Sequence, residues 1–73
     1  MKVEQLVKMA NEIAAFYTAE SGATAAADIA LHLKRFWEPR MRKAIVEHQR
    51  TGGAGMQDVV QAAVRMLAEG AVA

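Results

Sequence analysis

The stretch Phe36-Trp37-Glu38-Pro39-Arg40-Met41-Arg42 decides how this chain is read. It holds the only tryptophan, the only proline and one of the two phenylalanines, set beside three positive or adaptable side chains. Pro39 disfavours helical geometry in the residue before it and suits the first position of a helix. One helix is therefore predicted to stop near Trp37 or Glu38, and the next to run from Pro39 to Arg50. The aromatic and basic side chains fall at the corner between them. Trp and Arg, with Met, are enriched where one protein binds another.

Working outward, the rest of the chain is also helical. Before the corner, Ala26, Ile29, Ala30, Leu33, Phe36 and Trp37 form an apolar stripe on a helix that begins after Thr24, whose hydroxyl is a suitable N-cap. Asp28 near its start and Lys34 and Arg35 near its end suit the helix dipole. Upstream, Val3, Leu6, Val7, Ala10, Ile13, Ala14 and Tyr17 recur at helical spacing, with Met9 and Phe16 widening the stripe. This predicts a first helix over Val3–Glu20, stopped at Gly22.

After the corner, the third helix is expected to bury Met41, Ala44, Ile45 and His48. Thr51-Gly52-Gly53-Ala54-Gly55 is the clearest loop. A fourth helix follows over Met56–Glu69, with Met56, Val60, Ala63, Val64 and Leu67 on one face and Val59 and Met66 on its flank. Gly70 ends it, and Ala71-Val72-Ala73 is expected to fray. The fold class is all-α: one helical domain over residues 1–73, a small bundle of four short helices or of three with a kink at Pro39.

Composition bounds what such a chain can do. Seventy-three residues allow one small core, which rarely supplies more than about 3–5 kcal/mol unless something staples it. There is no cysteine, so neither a disulfide nor a thiolate metal site is the staple. Hydrophobic residues make up 53% but aromatics only 5%, and alanine buries little area. A marginal monomer of this kind is expected to lean on a partner, either another protein or a second copy of itself. No export signal or run long enough to span a bilayer is visible, so the chain reads as cytoplasmic.

Charge is uneven. Lys34, Arg35, Arg40, Arg42, Lys43 and Arg50 face only Glu38 and Glu47, giving that segment +4 and the remainder −3, for a total of +1. A basic face can meet an acidic protein, an anionic membrane or a nucleic acid. A pI near 8.2 is low for a dedicated nucleic-acid binder, and the break at Pro39 disfavours a membrane-surface helix.

Catalytic and metal signatures are missing. His32 and His48 lie sixteen residues apart with no HxxxH or HExxH spacing, and each reads as a surface or half-buried histidine. Ser21 lies in a turn with no partnering base. Glu4 and Glu12 read as a solvated face, and the glycine loop lacks the Lys-Ser/Thr of a phosphate cradle. The chain is not an enzyme by itself. Its candidate site is instead a partner-binding one: Phe36, Trp37, Pro39, Arg40, Met41 and Arg42, with Trp37 readable equally as core or as interface.

Those residues carry a resemblance. Leu6-Val7-Lys8-Met9-Ala10-Asn11-Glu12-Ile13-Ala14-Ala15-Phe16 resembles the leucine-valine-basic-methionine-alanine-asparagine opening of the delta subunit of soluble NAD-dependent, molybdenum-containing formate dehydrogenases. His32-Leu33-Lys34-Arg35-Phe36-Trp37-Glu38-Pro39-Arg40-Met41-Arg42, the Gly52-Gly53 pair and the alanine-rich last helix are similar too. The Phe-Trp-acid-Pro-Arg-Met-Arg run is the specific part. Tyr17 and Met56 depart from the expected Phe and Leu.

The resemblance implies a non-catalytic accessory subunit, concerned with assembly or stability of a cytoplasmic complex that oxidises formate to carbon dioxide and reduces NAD. It implies that the larger subunits, the catalytic one foremost, are the partners. It also implies that molybdopterin guanine dinucleotide, iron–sulfur clusters and FMN belong to them, with no cofactor on this chain. The alternative is an independent small regulator, a homodimeric helical module or a nucleic-acid-binding protein.

Overall fold

A computed structural model describes residues 2–70. Four α-helices follow one another: α1 (Val3–Ser21), α2 (Ala25–Phe36), α3 (Pro39–Arg50) and α4 (Asp58–Glu69), with a 3-10 turn over Gly22–Thr24 between the first two. The break at Pro39 is thus complete, giving four helices rather than three with a kink. Trp37 and Glu38 are both extended, with ψ of 138° and 153°. For Glu38 this is the geometry that the proline ring imposes on the residue before it.

Helix α2 is the central element, packing most extensively on α4 and then on α1. The core is one cluster. Leu6, Val7, Ala10 and Ala14 enter from α1, Ile29, Ala30 and Leu33 from α2, Ile45 from α3, and Val60, Ala63 and Val64 from α4. Leu6, Ile29, Leu33, Ile45, Val60 and Val64 are the largest side chains fully withdrawn from water. Ala10, Ala14, Ala30 and Ala63 are also fully buried. Alanine at those positions lets helix axes approach closely, and the whole measures 28 × 23 × 20 Å.

Several boundaries differ from the sequence expectation. Helix α2 begins after Thr24 as expected, but the Thr24 hydroxyl does not cap it. Thr24 still belongs to the 3-10 turn, with φ −97° and ψ 7°, and its Oγ1 lies 3.1 Å from Asp28 Oδ2 and 3.3 Å from the Ser21 carbonyl. An N-cap needs an extended backbone, which this residue lacks.

Helix α4 begins at Asp58, two residues later than expected. Met56 is buried all the same, reaching the core from the loop while its N–H donates to the Gly53 carbonyl at 2.9 Å. Met41, Ala44 and His48 are half-buried, and Ile45 alone of α3 is fully enclosed. Gly70 closes α4 in the left-handed conformation, as predicted. The expected fraying of Ala71-Val72-Ala73 lies outside the described residues.

Candidate partner-binding surface

The corner between α2 and α3 is built from within. Trp37 leaves the helix, keeps its N–H on the Leu33 carbonyl at 3.0 Å, and is only 5% exposed. It belongs to the core, which resolves the two readings its sequence allowed. Arg42, one turn into α3, turns back on the end of α2. Its Nη1 donates to the Lys34 carbonyl at 3.1 Å and to the Trp37 carbonyl. The last carbonyls of a helix have no partner inside it and carry its partial negative charge, so a guanidinium suits them. Met41 is half-buried against the same core.

What the corner presents outward is therefore Phe36, Pro39 and Arg40, all exposed. Phe36 is 71% exposed, although the apolar stripe of α2 had placed it inward. Arg40 and Arg35 have no ion-pair partner among the described residues. The salt bridge from Arg50 to Glu47 at 3.3 Å joins two largely exposed side chains of α3 and contributes little.

Phe36 does not stand alone. Its ring centroid lies 4.8 Å from that of His32, His32 lies 5.9 Å from Tyr17, and Tyr17 lies 5.2 Å from Phe16 in an edge-to-face pair. The Tyr17 hydroxyl and His32 Nδ1 are 3.4 Å apart. Tyr17 and His32 are half-buried, while Phe16 is 60% exposed. A row of four rings thus crosses from α1 to α2 with a phenylalanine open to water at each end. Sequence spacing had treated Phe16 as a margin of the core stripe.

Asn11 is a further residue that spacing alone did not single out. Its Nδ2 donates to the Gly55 carbonyl at 2.9 Å and its Oδ1 accepts the Gln57 N–H at 3.1 Å. One side chain of α1 therefore fixes the glycine loop and the entry to α4. His48 Nε2 adds a bond to the Ala54 carbonyl at 2.8 Å. Gly53 is buried in the loop at φ 65°, with the Gln61 side chain folded over it.

These features fall within one recognisable sequence pattern. A family model described as NADH-dependent formate dehydrogenase delta subunit, FdsD, matches residues 5–64. The chain belongs to this family. It is a delta subunit of an NAD-dependent formate dehydrogenase complex. The matched span takes in Asn11 and its loop, the braced corner and all four rings of the aromatic row. No curated protein and no solved structure matches the chain at a significant level.

The delta subunit's own side chains offer little to a metal or cofactor. The sequence has no thiolate, and among the described residues no three His, Asp or Glu side chains converge. No cavity opens in the described fold. Nor is any described helix long and apolar enough to cross a membrane.

Proposed function

We propose that this delta subunit is a non-catalytic component that assists assembly or stability of a cytoplasmic formate dehydrogenase by docking on its large catalytic subunit. The observation that carries the reading is the corner after α2. There an exposed phenylalanine, Phe36, and an unpaired cation, Arg40, flank a turn that Trp37 and Arg42 hold rigid from behind. A preorganised anchor loses less entropy on binding than a mobile one. Phe36 fills an apolar pocket, Arg40 meets a carboxylate, and Pro39 sets the direction of both. Trp37, Met41 and Arg42 act on the partner indirectly, by fixing that geometry.

In this reading the oxidation of formate and reduction of NAD take place on the larger subunits. Molybdopterin guanine dinucleotide, iron–sulfur clusters and FMN are held there. The cysteine-free delta subunit does not suit an iron–sulfur cluster, since such clusters are held chiefly by cysteine thiolates.

The test is a tagged pull-down from the source cells grown with formate, with co-purifying proteins identified by mass. Recovery of a large iron–sulfur molybdoprotein is expected, and its loss with Phe36→Ala and Arg40→Ala together places the contact at the corner. Recovery of the delta subunit alone, from cells shown to contain the enzyme, would rule out stable docking. Nucleic acid in the eluate, with binding that falls steeply as salt rises, would favour the independent regulator instead.

A further inference from the structure

We propose that the row Phe16–Tyr17–His32–Phe36 is a second contact strip, by which α1 and α2 lie across an apolar cleft of a formate dehydrogenase subunit. The proposal rests on the docking reading above and extends it from the α2–α3 corner to the opposite end of the row, at Phe16. Three observations carry it.

The rings form a continuous path through the three contacts of 5.2, 5.9 and 4.8 Å, so the strip is one surface rather than scattered apolar residues. Its middle is already packed, because Tyr17 and His32 are half-buried, while its two ends are open at 60% and 71%. Phe16 and Phe36 are the two exposed large hydrophobic residues among those described. Aromatic side chains, phenylalanine among them, are enriched in the cores of protein interfaces.

Charge sets the orientation. Glu12 and Glu20 stand one helical turn to either side of Phe16, whereas Arg35 adjoins Phe36 and Arg40 follows at the corner. The strip therefore runs from an acidic end to a basic end. A partner that fits it offers carboxylates where Phe36 docks and neutral or basic groups where Phe16 docks. Such a pattern fixes direction and discriminates against a reversed placement.

Area selects the occupant. A phenylalanine side chain buries on the order of 200 Å², so the open parts of the two rings amount to about 250 Å². A second copy laid antiparallel on the strip would match its charges, yet would remove only about 500 Å² of ring surface from the two chains. Stable interfaces take about 1,200–2,000 Å² in total. A larger subunit that engages the strip together with the Pro39–Arg40 corner can reach that size, whereas the self-paired rings by themselves supply less than half of its lower bound.

The decisive variant is Phe16→Ala, because Phe16 lies outside the corner. The full complex is co-expressed, and binding of wild type, Phe16→Ala, Phe36→Ala and the double variant to the purified larger subunits is measured by biolayer interferometry. Circular dichroism of each free variant checks that it stays helical. The expected result is a rise in Kd of about thirtyfold for each single change and more for both. Wild-type Kd for Phe16→Ala, with Phe36→Ala weakened, overturns the strip while leaving the corner intact. Failure of wild type itself to bind any larger subunit overturns both readings. A free protein that sediments as a dimer, becomes monomeric on Phe16→Ala and still binds the larger subunits normally assigns the strip to self-association and overturns the proposal.

Discussion

Replacing Trp37 by Ala is predicted to unfold the protein, whereas replacing its neighbour Phe36 by Ala is predicted to leave the fold intact. Trp37 is 5% exposed and packs into the single core cluster. Removing a large buried aromatic costs about 3–5 kcal/mol, since both the transfer energy and the packing around the cavity are lost. A core of this size provides about 3–5 kcal/mol in total. The two figures cancel, so the variant is left near the midpoint of unfolding without any denaturant. Phe36, at 71% exposure, has little transfer energy to lose, and its removal stays within about 0.5 kcal/mol.

The assay is urea unfolding followed by far-ultraviolet circular dichroism. Wild type and Phe36→Ala give cooperative transitions with midpoints within about 0.5 M urea of each other. Trp37→Ala gives reduced helicity at zero urea and no pre-transition baseline. Trp37→Phe keeps a ring in the site and restores a transition, its midpoint lowered by about 1 M urea for a slope near 1 kcal/mol/M. If Trp37→Ala instead unfolds at the wild-type midpoint, the side chain is not part of the core and the whole assignment of inner and outer aromatics is wrong. The comparison also governs binding experiments. Loss of docking in Trp37→Ala reports unfolding, and only Phe36→Ala reports contact.

Other substitutions test the braces around this corner and its loop. Arg42→Ala leaves the Lys34 and Trp37 carbonyls at the end of α2 to water and is expected to cost about 1–2 kcal/mol, read as a lower urea midpoint; an unchanged midpoint would show that the guanidinium is ornamental. Asn11→Ala removes both bonds to the glycine loop, with an expected cost of about 1–2 kcal/mol and faster hydrogen exchange at the Gln57 amide; unaltered exchange there would sink the clamp. Gly53→Ala places a Cβ 2.9 Å from Gln61 Cδ at a φ of 65°, and a cost of about 1–2 kcal/mol follows from the left-handed backbone. Because the Gln61 end group can swing away, adding Gln61→Ala should recover less than half of that loss, and full recovery would show that crowding, not φ, is the cause.

The helices themselves were legible because their signals are local. Pro39 marks the start of α3, Gly22 and Gly70 follow the ends of α1 and α4, and spacing of three and four identifies Leu6, Ala10, Ile29, Leu33 and Val60 as core. The failures also have local causes. Periodicity reports the side of a helix a residue occupies, not whether a neighbouring element covers that level. Phe36 lies on the expected side of α2, yet it is the last residue of its helix and meets the half-buried His32 ring, leaving most of its surface open. Thr24 had suitable chemistry for a cap and an unsuitable backbone. Asn11 was invisible because its partners, Gly55 and Gln57, lie 44 and 46 residues away. Contacts of that range leave no trace in helical spacing.

The divergence of Phe36 and Trp37 bears on how a chain this small can both fold and bind. With one small core, any residue used for both purposes makes binding variants unfold, and no surface can be tuned independently. Here Trp37 follows the buried Leu33 by four residues and keeps its N–H on the Leu33 carbonyl, so it points inward in the phase of α2, while Pro39 holds Glu38 extended and ends the helix there. Phe36, still helical, remains outside. Helical phase thereby divides two adjacent aromatics between the core and the exposed strip, and Arg42 ties the backbone just after them at the Trp37 carbonyl. Replacing Pro39 by Ala should then couple the two properties. With the restraint on Glu38 relaxed, α2 can extend through the corner, Arg42 loses its hold on the Lys34 and Trp37 carbonyls, and stability and docking fall together. Pro39→Ala that weakens docking with no change in the urea midpoint would show instead that the ring acts only as a contact, and that the corner holds without it.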